Sequence, residues 1–369
     1  MSVQIIRDFP GGNIIKEGEI ENTVLLRPEL RDTVGNWFYF CFDAVFERPG
    51  TYIFQFLTGS VLPSQGVCAS FDGGRSWEWL GTEGVKREAP GDSFEYVYDG
   101  TRGNRVRFCN GMQYLQSDLE VFLKRHEGNP RLKKSVLTHS RQGRPAELLH
   151  VDSGAGPAQH RLFFTARHHC GEMMANYAME GILEFFLENS EPYEIYAVPF
   201  TDKDGVENGD QGKNRYPHDH AGDYGDEPLY PEVAANMKLV KEWKPDFVMD
   251  MHCPGIYGYD DTENILFVGM QVPHRDAEIV KFGEILEKTT PADVPFSMKY
   301  YLPTGWGKKH DGSWHKRTCI KRWAADFDFV SCSASMEIPF ATSGGKALTG
   351  DSLRRFGKAI AQSILKYFE

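Results

Sequence analysis

The pattern of apolar residues changes character near residue 130, and that change restricts the folds open to the chain more than any other feature. Before it, Trp37–Phe46, Thr51–Leu57, Val67–Phe71, Phe94–Tyr98 and Arg105–Phe108 are short aromatic or β-branched runs separated by turn formers. Such runs read as strands, and Asp72-Gly73-Gly74 between two of them reads as a hairpin turn. Their close spacing, with no convincing helical period between them, predicts an N-terminal antiparallel β-sandwich. The chain then turns polar at His126-Glu127-Gly128-Asn129-Pro130-Arg131, which sets the expected domains at residues 1–130 and 131–369.

Beyond that point strand and helix patterns alternate. Strands are expected at Arg161–Ala166, Glu194–Phe200, Asp246–His252, Glu263–Val268 and Ser333–Phe340. Helices are expected at Gly171–Glu188, Glu232–Trp243, Arg275–Lys288 and Asp351–Phe368, the last N-capped by Asp351. Met174, Ala178, Ile182, Phe185 and Phe186 make an apolar stripe on the first helix; Leu353, Phe356, Ile360, Ile364 and Phe368 do so on the last. This order predicts an α/β domain whose mixed, mostly parallel sheet is covered by helices. Ligands in such sheets bind at the carboxyl ends of strands.

Composition narrows the function. A length of 369 residues suits two domains, and 41% apolar with 13% aromatic residues excludes a disordered chain. Forty-one Lys plus Arg against 52 Asp plus Glu give a net charge of -11, which argues against a nucleic-acid partner. No apolar run reaches the roughly 18 residues of a membrane span. Seven cysteines without a CxxC pair make a poor disulfide framework, and the N-terminus lacks a basic start followed by an apolar run. A soluble, cytoplasmic protein is expected.

The chemistry-bearing residues gather at the strand-to-helix joins. His169 and Glu172 are three apart in Arg167-His168-His169-Cys170-Gly171-Glu172, so one helical turn puts them on the same face. His252 closes the strand ending Asp250-Met251-His252. Two imidazoles and a carboxylate suit zinc and leave a fourth position for water. Each piece alone also fits a structural pair or a satisfied core histidine. Arg215, in the Gly-rich loop ending Lys213-Asn214-Arg215, offers a planar fork for a carboxylate, or is a solvated loop charge. Glu337, in Ser335-Met336-Glu337-Ile338, is a carboxylate in an apolar run, either an exposed edge residue or a buried base with a raised pKa.

These segments together resemble the zinc metallocarboxypeptidases, most closely the cytosolic carboxypeptidase-like branch. Arg167–Glu172 and Met174–Gly181 are similar to that branch's HxxE segment. Val198-Pro199-Phe200-Thr201-Asp202-Lys203-Asp204-Gly205-Val206 resembles its Val-Pro-x-x-Asn-Pro-Asp-Gly-Val, and Asn214-Arg215, Asp250-Met251-His252 and Ser335-Met336-Glu337 resemble its Asn-Arg, Asp-Leu-His and Thr-Leu-Glu. The branch also carries a small β-sandwich, to which Trp37-Phe38-Tyr39-Phe40, Ser76-Trp77 and Ser117-Asp118-Leu119 are similar. The resemblance implies a zinc carboxypeptidase-like fold with one zinc ion per chain on His169, Glu172 and His252. It implies Glu337 as general base, Asn214 and Arg215 gripping the free carboxylate, and a peptide or protein C-terminus as substrate.

The chain departs from this pattern at several points. The family's oxyanion-steadying Arg, several residues before Asn-Arg, is missing, and Lys213 is the nearest cation, a looser donor. Gly212 stands where the family has an Asp that orients the first zinc histidine, which leaves Asp210 or Asp250 for that role. No residue securely matches the Tyr that digestive members close over the substrate; Trp314 and His315 lie loosely in that region, and Lys316, Arg317, Lys321 and Arg322 form either a basic pocket or a solvated turn. Tyr216-Pro217-His218-Asp219-His220 reads as a polar loop or a second metal site, and Cys170 and Cys253 as small packing residues or a substitute ligand. Two other functions stay open: a zinc deacylase or amidase acting on N-acyl amino acids or peptidoglycan peptides, and a weakly active or inactive binding protein whose sandwich presents Trp77 and Trp79.

Overall fold

The computed structural model describes residues 3–305 and 317–369. Its N-terminal part holds two five-stranded sheets. The first runs Val3–Ile6, Cys41–Phe46, Arg105–Cys109, Cys68–Ser70, Glu78–Trp79, antiparallel throughout. The second runs Ile15–Ile20, Thr23–Arg27, Gly50–Phe56, Gly91–Tyr98, Lys86–Glu88. Every second residue of Gly50–Phe56 is buried, so Tyr52, Phe54 and Phe56 face one core while Ile53 and Gln55 do not. Across it Phe54 lies 5.8 Å from Phe42 of the first sheet and stacks on Phe94 at 4.8 Å. Asp72-Gly73-Gly74 does turn the hairpin joining Cys68–Ser70 to Glu78–Trp79, and Asp72 accepts from the backbone of Arg75 and Ser76.

Two expectations for this part are corrected. Thr23–Arg27 pairs parallel with Gly50–Phe56, so the second sheet is mixed. A helix, Gln116–Arg125, precedes residue 130; only Leu119 and Phe122 on it are buried, too few to write a readable stripe.

The C-terminal sheet runs Leu132–His139, Pro145–Val151, Tyr193–Val198, His160–Ala166, Phe247–His252, Cys332–Glu337, Leu266–Val268. Its middle four strands are parallel; the first two and the last pair antiparallel, so the sheet is less parallel than expected. Leu132–His139 has no buried residue and two lysines, which removed the apolar signal of an edge strand. Alternate residues of the central strands feed two cores. Leu162, Phe164 and Met249 pack under helices Met174–Glu188, Pro273–Thr289 and Gly350–Phe368, while Phe163 and Val248 pack under Pro231–Trp243 and Ile320–Ala324. The last helix is capped by Thr349, whose hydroxyl accepts from Ser352 N at 3.1 Å; Asp351 sits in its first turn instead. All seven cysteines are free, and no described helix is long and apolar enough to cross a membrane.

The two parts interlock. Tyr39, Cys41, Cys68 and Cys109 of the N-terminal part belong to the same core as the C-terminal sheet. Trp77 and Trp79, expected to be exposed, pack against that core, with Trp79 Nε1 donating to Leu348 O at 2.8 Å. The buried Arg167 donates to Tyr114 O at 2.8 Å, Asn176 Oδ1 at 3.0 Å and Cys170 O at 2.7 Å. Gln211 forms a two-way clip with the Tyr39 backbone, accepting from its N–H at 2.8 Å and donating to its carbonyl at 2.8 Å.

Gln211→Ala leaves two buried backbone groups unpaired, so a loss of roughly 1–3 kcal/mol in urea unfolding is expected. A second prediction concerns Glu232, buried at the start of Pro231–Trp243, where burial pushes its carboxyl up to about 7. A carboxyl raised on folding costs stability progressively as pH climbs from its unfolded value to its folded one. Glu232→Gln is therefore expected to match the parent near pH 4 and to gain up to roughly 3 kcal/mol above pH 7. Urea midpoints at both pH values check it.

Candidate metal centre

The site is built at the carboxyl ends of neighbouring parallel strands. His160–Ala166 runs into a turn in which Glu172 N donates to His169 O at 3.1 Å. Helix Met174–Glu188 begins later than expected, so His169 and Glu172 face each other across this turn rather than along a helix. Phe247–His252 delivers His252, and Cys332–Glu337 delivers Glu337 directly opposite it in the ladder. Neighbouring residues of paired strands point to the same face, so Glu337 stands beside His252. Both are buried.

One carboxylate organises the ligands. Glu172 Oε1 lies 3.0 Å from His169 Nδ1, and Oε2 lies 2.8 Å from His252 Nδ1. The outer ring nitrogens face other carboxylates: His252 Nε2 is 2.7 Å from Asp250 Oδ2, and His169 Nε2 is 3.6 Å from Asp219 Oδ2. A carboxylate facing each Nε2 favours the tautomer protonated there, the one that leaves the Nδ1 lone pair toward Glu172. The inward atoms of His169, Glu172 and His252 all lie within 4.8 Å of one another. Two nitrogens and a carboxylate at that separation match the donor set of zinc, with coordination left for a water.

The electrostatics agree. Burial opposes the charge on Glu172, yet Lys213, His169 and His252 hold its carboxyl well below the usual range. Burial likewise works against charge on the two histidines. Asp250 and Glu172 nevertheless draw His252 well up, and Glu172 and Asp219 raise His169. The site thus attracts two protons at a place where a divalent cation supplies the same charge. Burial raises the Glu337 carboxyl, with His252 pulling the other way and Glu172 adding to the rise.

Behind His252 runs a buried chain that the sequence reading did not assemble. Asp250 accepts from Thr165 Oγ1 at 2.9 Å and lies 2.8 Å from His168 Nδ1; His168 Nε2 meets Tyr224 OH at 2.7 Å. His168, Asp250 and His252 also bring ligand atoms within 4.8 Å. His168 and Asp250 are wholly buried, and Asp250 is already engaged by His252 Nε2 and Thr165 Oγ1, which suits the group to orienting His252. A third group, His150, Asp152 and Glu194, lies on the second and third strands of the sheet and is paired with Lys133 and Arg161.

Several expected roles move. The carboxylate beside His169 is Asp219, not Asp210 or Asp250. Arg215 is buried and its three guanidinium nitrogens each face a carboxylate: Nη1 Asp202 at 2.6 Å, Nη2 Asp210 at 2.9 Å and Nε Asp32 at 3.1 Å. Asn214 is exposed in the left-handed region at φ 49°, its backbone N–H aimed at Asp219. Lys213 Nζ lies 2.6 Å from Glu172 Oε1. In the 216–220 loop His218 pairs with Asp223 and His220 stacks on Tyr230 at 3.6 Å, so these rings do not converge on a cation. Cys170 donates to Asp210 O at 3.0 Å and stays outside the ligand set. Lys321 and Arg322, expected in a basic pocket or solvated turn, donate instead to the backbone of Val268, Gly269 and Met270. Trp314, His315 and Lys316 lie outside the described residues, and Arg317 opens a short strand.

No family model matches the chain. Solved structures do. A metallo-carboxypeptidase from Pseudomonas aeruginosa, in complex with (2-guanidinoethylmercapto)succinic acid, superposes with a TM-score of 0.80 at 19% identity, over 99% of this chain and all of that one. A metallo-carboxypeptidase from Burkholderia cenocepacia gives 0.79 at 18% identity, over 100% and 99%. The chain therefore has the metallo-carboxypeptidase fold over its whole length, the N-terminal part included.

Asp250→Asn exchanges an acceptor carboxylate for an amide behind His252. Zinc affinity is expected to fall about 10- to 100-fold, as measured by chelator competition.

Proposed function

We propose that this chain is a zinc-dependent carboxypeptidase that hydrolyses a C-terminal peptide or isopeptide bond. The observation that carries the reading is the convergence of His169 Nδ1, Glu172 and His252 Nδ1, with Glu337 beside His252 on the next strand. The shared fold supports it. His169, Glu172 and His252 would hold one zinc ion, which when bound acidifies water and polarises a carbonyl.

Glu337, buried and with its carboxyl raised, is placed to take a proton from the attacking water. The water oxygen bonds to the carbonyl carbon, the carbon–nitrogen bond breaks, and Glu337 returns the proton to the departing amine. Of the pair expected to grip the substrate carboxylate, Arg215 is already engaged by three carboxylates, so the exposed Asn214 is our candidate for that contact. The occupied Arg215 is also what favours a second reading, a zinc amidase that needs no terminal carboxylate. Comparing blocked with free C-termini separates the two.

Glu337→Gln keeps the shape and removes the base. Its expected effect on the zinc-loaded protein is a fall in kcat of about 100-fold or more, with zinc content unchanged. An active Glu337→Gln protein, on any peptide the parent cleaves, rejects the mechanism.

A further inference from the structure

Three cysteines stand side by side in the first sheet of the N-terminal part. Cys109 lies directly opposite Cys41 on one neighbouring strand and directly opposite Cys68 on the other. Paired residues of adjacent strands point to the same face, so the three thiols form one row. That row faces the core shared with the C-terminal part, whereas the next residues along, Phe42, Ala69 and Phe108, face the sandwich core. All three are fully buried and unbridged.

The main chain distinguishes the two neighbour pairs. Cys41 N donates to Asn13 O at 2.9 Å and Cys41 O accepts from Asn13 N at 2.8 Å, so both of its polar groups turn away from Cys109. Cys41 and Cys109 are therefore a non-hydrogen-bonded pair, the close kind, with Cα atoms about 4.5 Å apart. The next rung agrees: Asn110 N reaches back to Phe40 O at 3.3 Å. A disulfide spans Cα separations of roughly 4.4–6.8 Å, and side chains come nearest in pairs of this close kind. By alternation Cys109 and Cys68 are the wider kind, about 5.5 Å apart.

The pair also sits where the two parts are joined. Cys41 is the first residue of its strand and Cys109 the last of its own. Cys109 leads into the segment that crosses to the C-terminal part, where Gln113 O accepts from Tyr177 OH at 2.9 Å and Tyr114 O accepts from Arg167 Nη1 at 2.8 Å. Cys41 follows Tyr39, whose backbone Gln211 clips. A bond between these two sulfurs ties together two segments that carry the attachment.

We propose that Cys41 and Cys109 are an oxidation site, joined under peroxide in a cross-strand disulfide that fastens the seam between the two parts. One thiol takes an oxygen from hydrogen peroxide, becoming a sulfenic acid, and a water leaves. The second sulfur attacks the first and expels another water, so two thiols and one hydrogen peroxide give one disulfide and two waters. Burial holds the Cys41 thiol well up, and the thiolate is the nucleophile, so the reaction runs through an opened seam rather than the closed fold. The inference is independent of the hydrolytic reading.

The test treats full-length protein with hydrogen peroxide, in buffer and in urea below the unfolding transition, and maps linked peptides by mass spectrometry without reduction. The expected product is a single linkage, Cys41 to Cys109, lost on adding dithiothreitol. Its rate is expected to rise about tenfold or more in the sub-denaturing urea, because opening limits it. The urea midpoint of the oxidised protein is expected to rise. Cys68→Ala is expected to keep both the linkage and the gain, and Cys109→Ala to lose the gain. Seven free thiols after peroxide in urea overturn the inference. So does a linkage through Cys68 or through the half-buried Cys319, or oxidation that ends in sulfinic acid without a linkage. A Cys41–Cys109 bond that leaves the urea midpoint unchanged does not fasten the seam, and overturns it as well.

Discussion

A buried carboxylate is the constraint from which the rest of the site follows. Glu172 is almost inaccessible, and an ion removed from water is costly unless its oxygens are matched. The fold supplies two imidazole nitrogens and an ammonium around it. Each partner then needs its own support, which it gets from Asp219 behind His169, Asp250 behind His252, and Cys253 O and Trp37 around Lys213. Charge alternates outward from Glu172 in shells. A dication at the centre would complete this alternation, accepting both Nδ1 lone pairs and the carboxylate while the outer hydrogen bonds stay in place.

The N-terminal part belongs to this arrangement. The attachments of the loop that carries Lys213 to it include the Gln211 clip on Tyr39, the Asp32 carboxylate on Arg215, and Arg31 Nη1 on Asp210 at 2.6 Å. Arg215 illustrates why a residue type alone does not assign a role. Its planar fork suits a carboxylate, as the sequence argument held, but the carboxylates it meets belong to the protein.

What could be read in the sequence was what depends on local period and on segment order. The strands ending in Ala166, His252 and Glu337 are apolar runs that stop at a polar residue, and the three joins carry the metal and base candidates. The His169–Glu172 spacing gave the pairing correctly though the geometry behind it was a turn. What depends on long-range contact was not legible. Asp219 reaches His169 from 50 positions away, and nothing local distinguishes it from Asp210 or Asp223. Trp77 and Trp79 read as exposed because their neighbours are polar, whereas both are half-buried against the core that the two parts share. Helix Gln116–Arg125 and strand Leu132–His139 were missed because each buries too little on its own to imprint a period.

The two halves of the site are held by different means. His252 and the base candidate share one ladder: Ala166 pairs with Met251, and His252 with Glu337, so their relation is set by main-chain register in the parallel middle of the sheet. A side-chain change elsewhere cannot shift it without breaking strand pairing. Lys213, Asn214 and Trp37 sit instead on loops held by tertiary staples, which sequence change can rearrange one at a time. The departures around Gly212 and the missing arginine fall in this second half. The scaffold thus sets His252 and Glu337 by register, while the loop residues around them are held by contacts that can change one at a time.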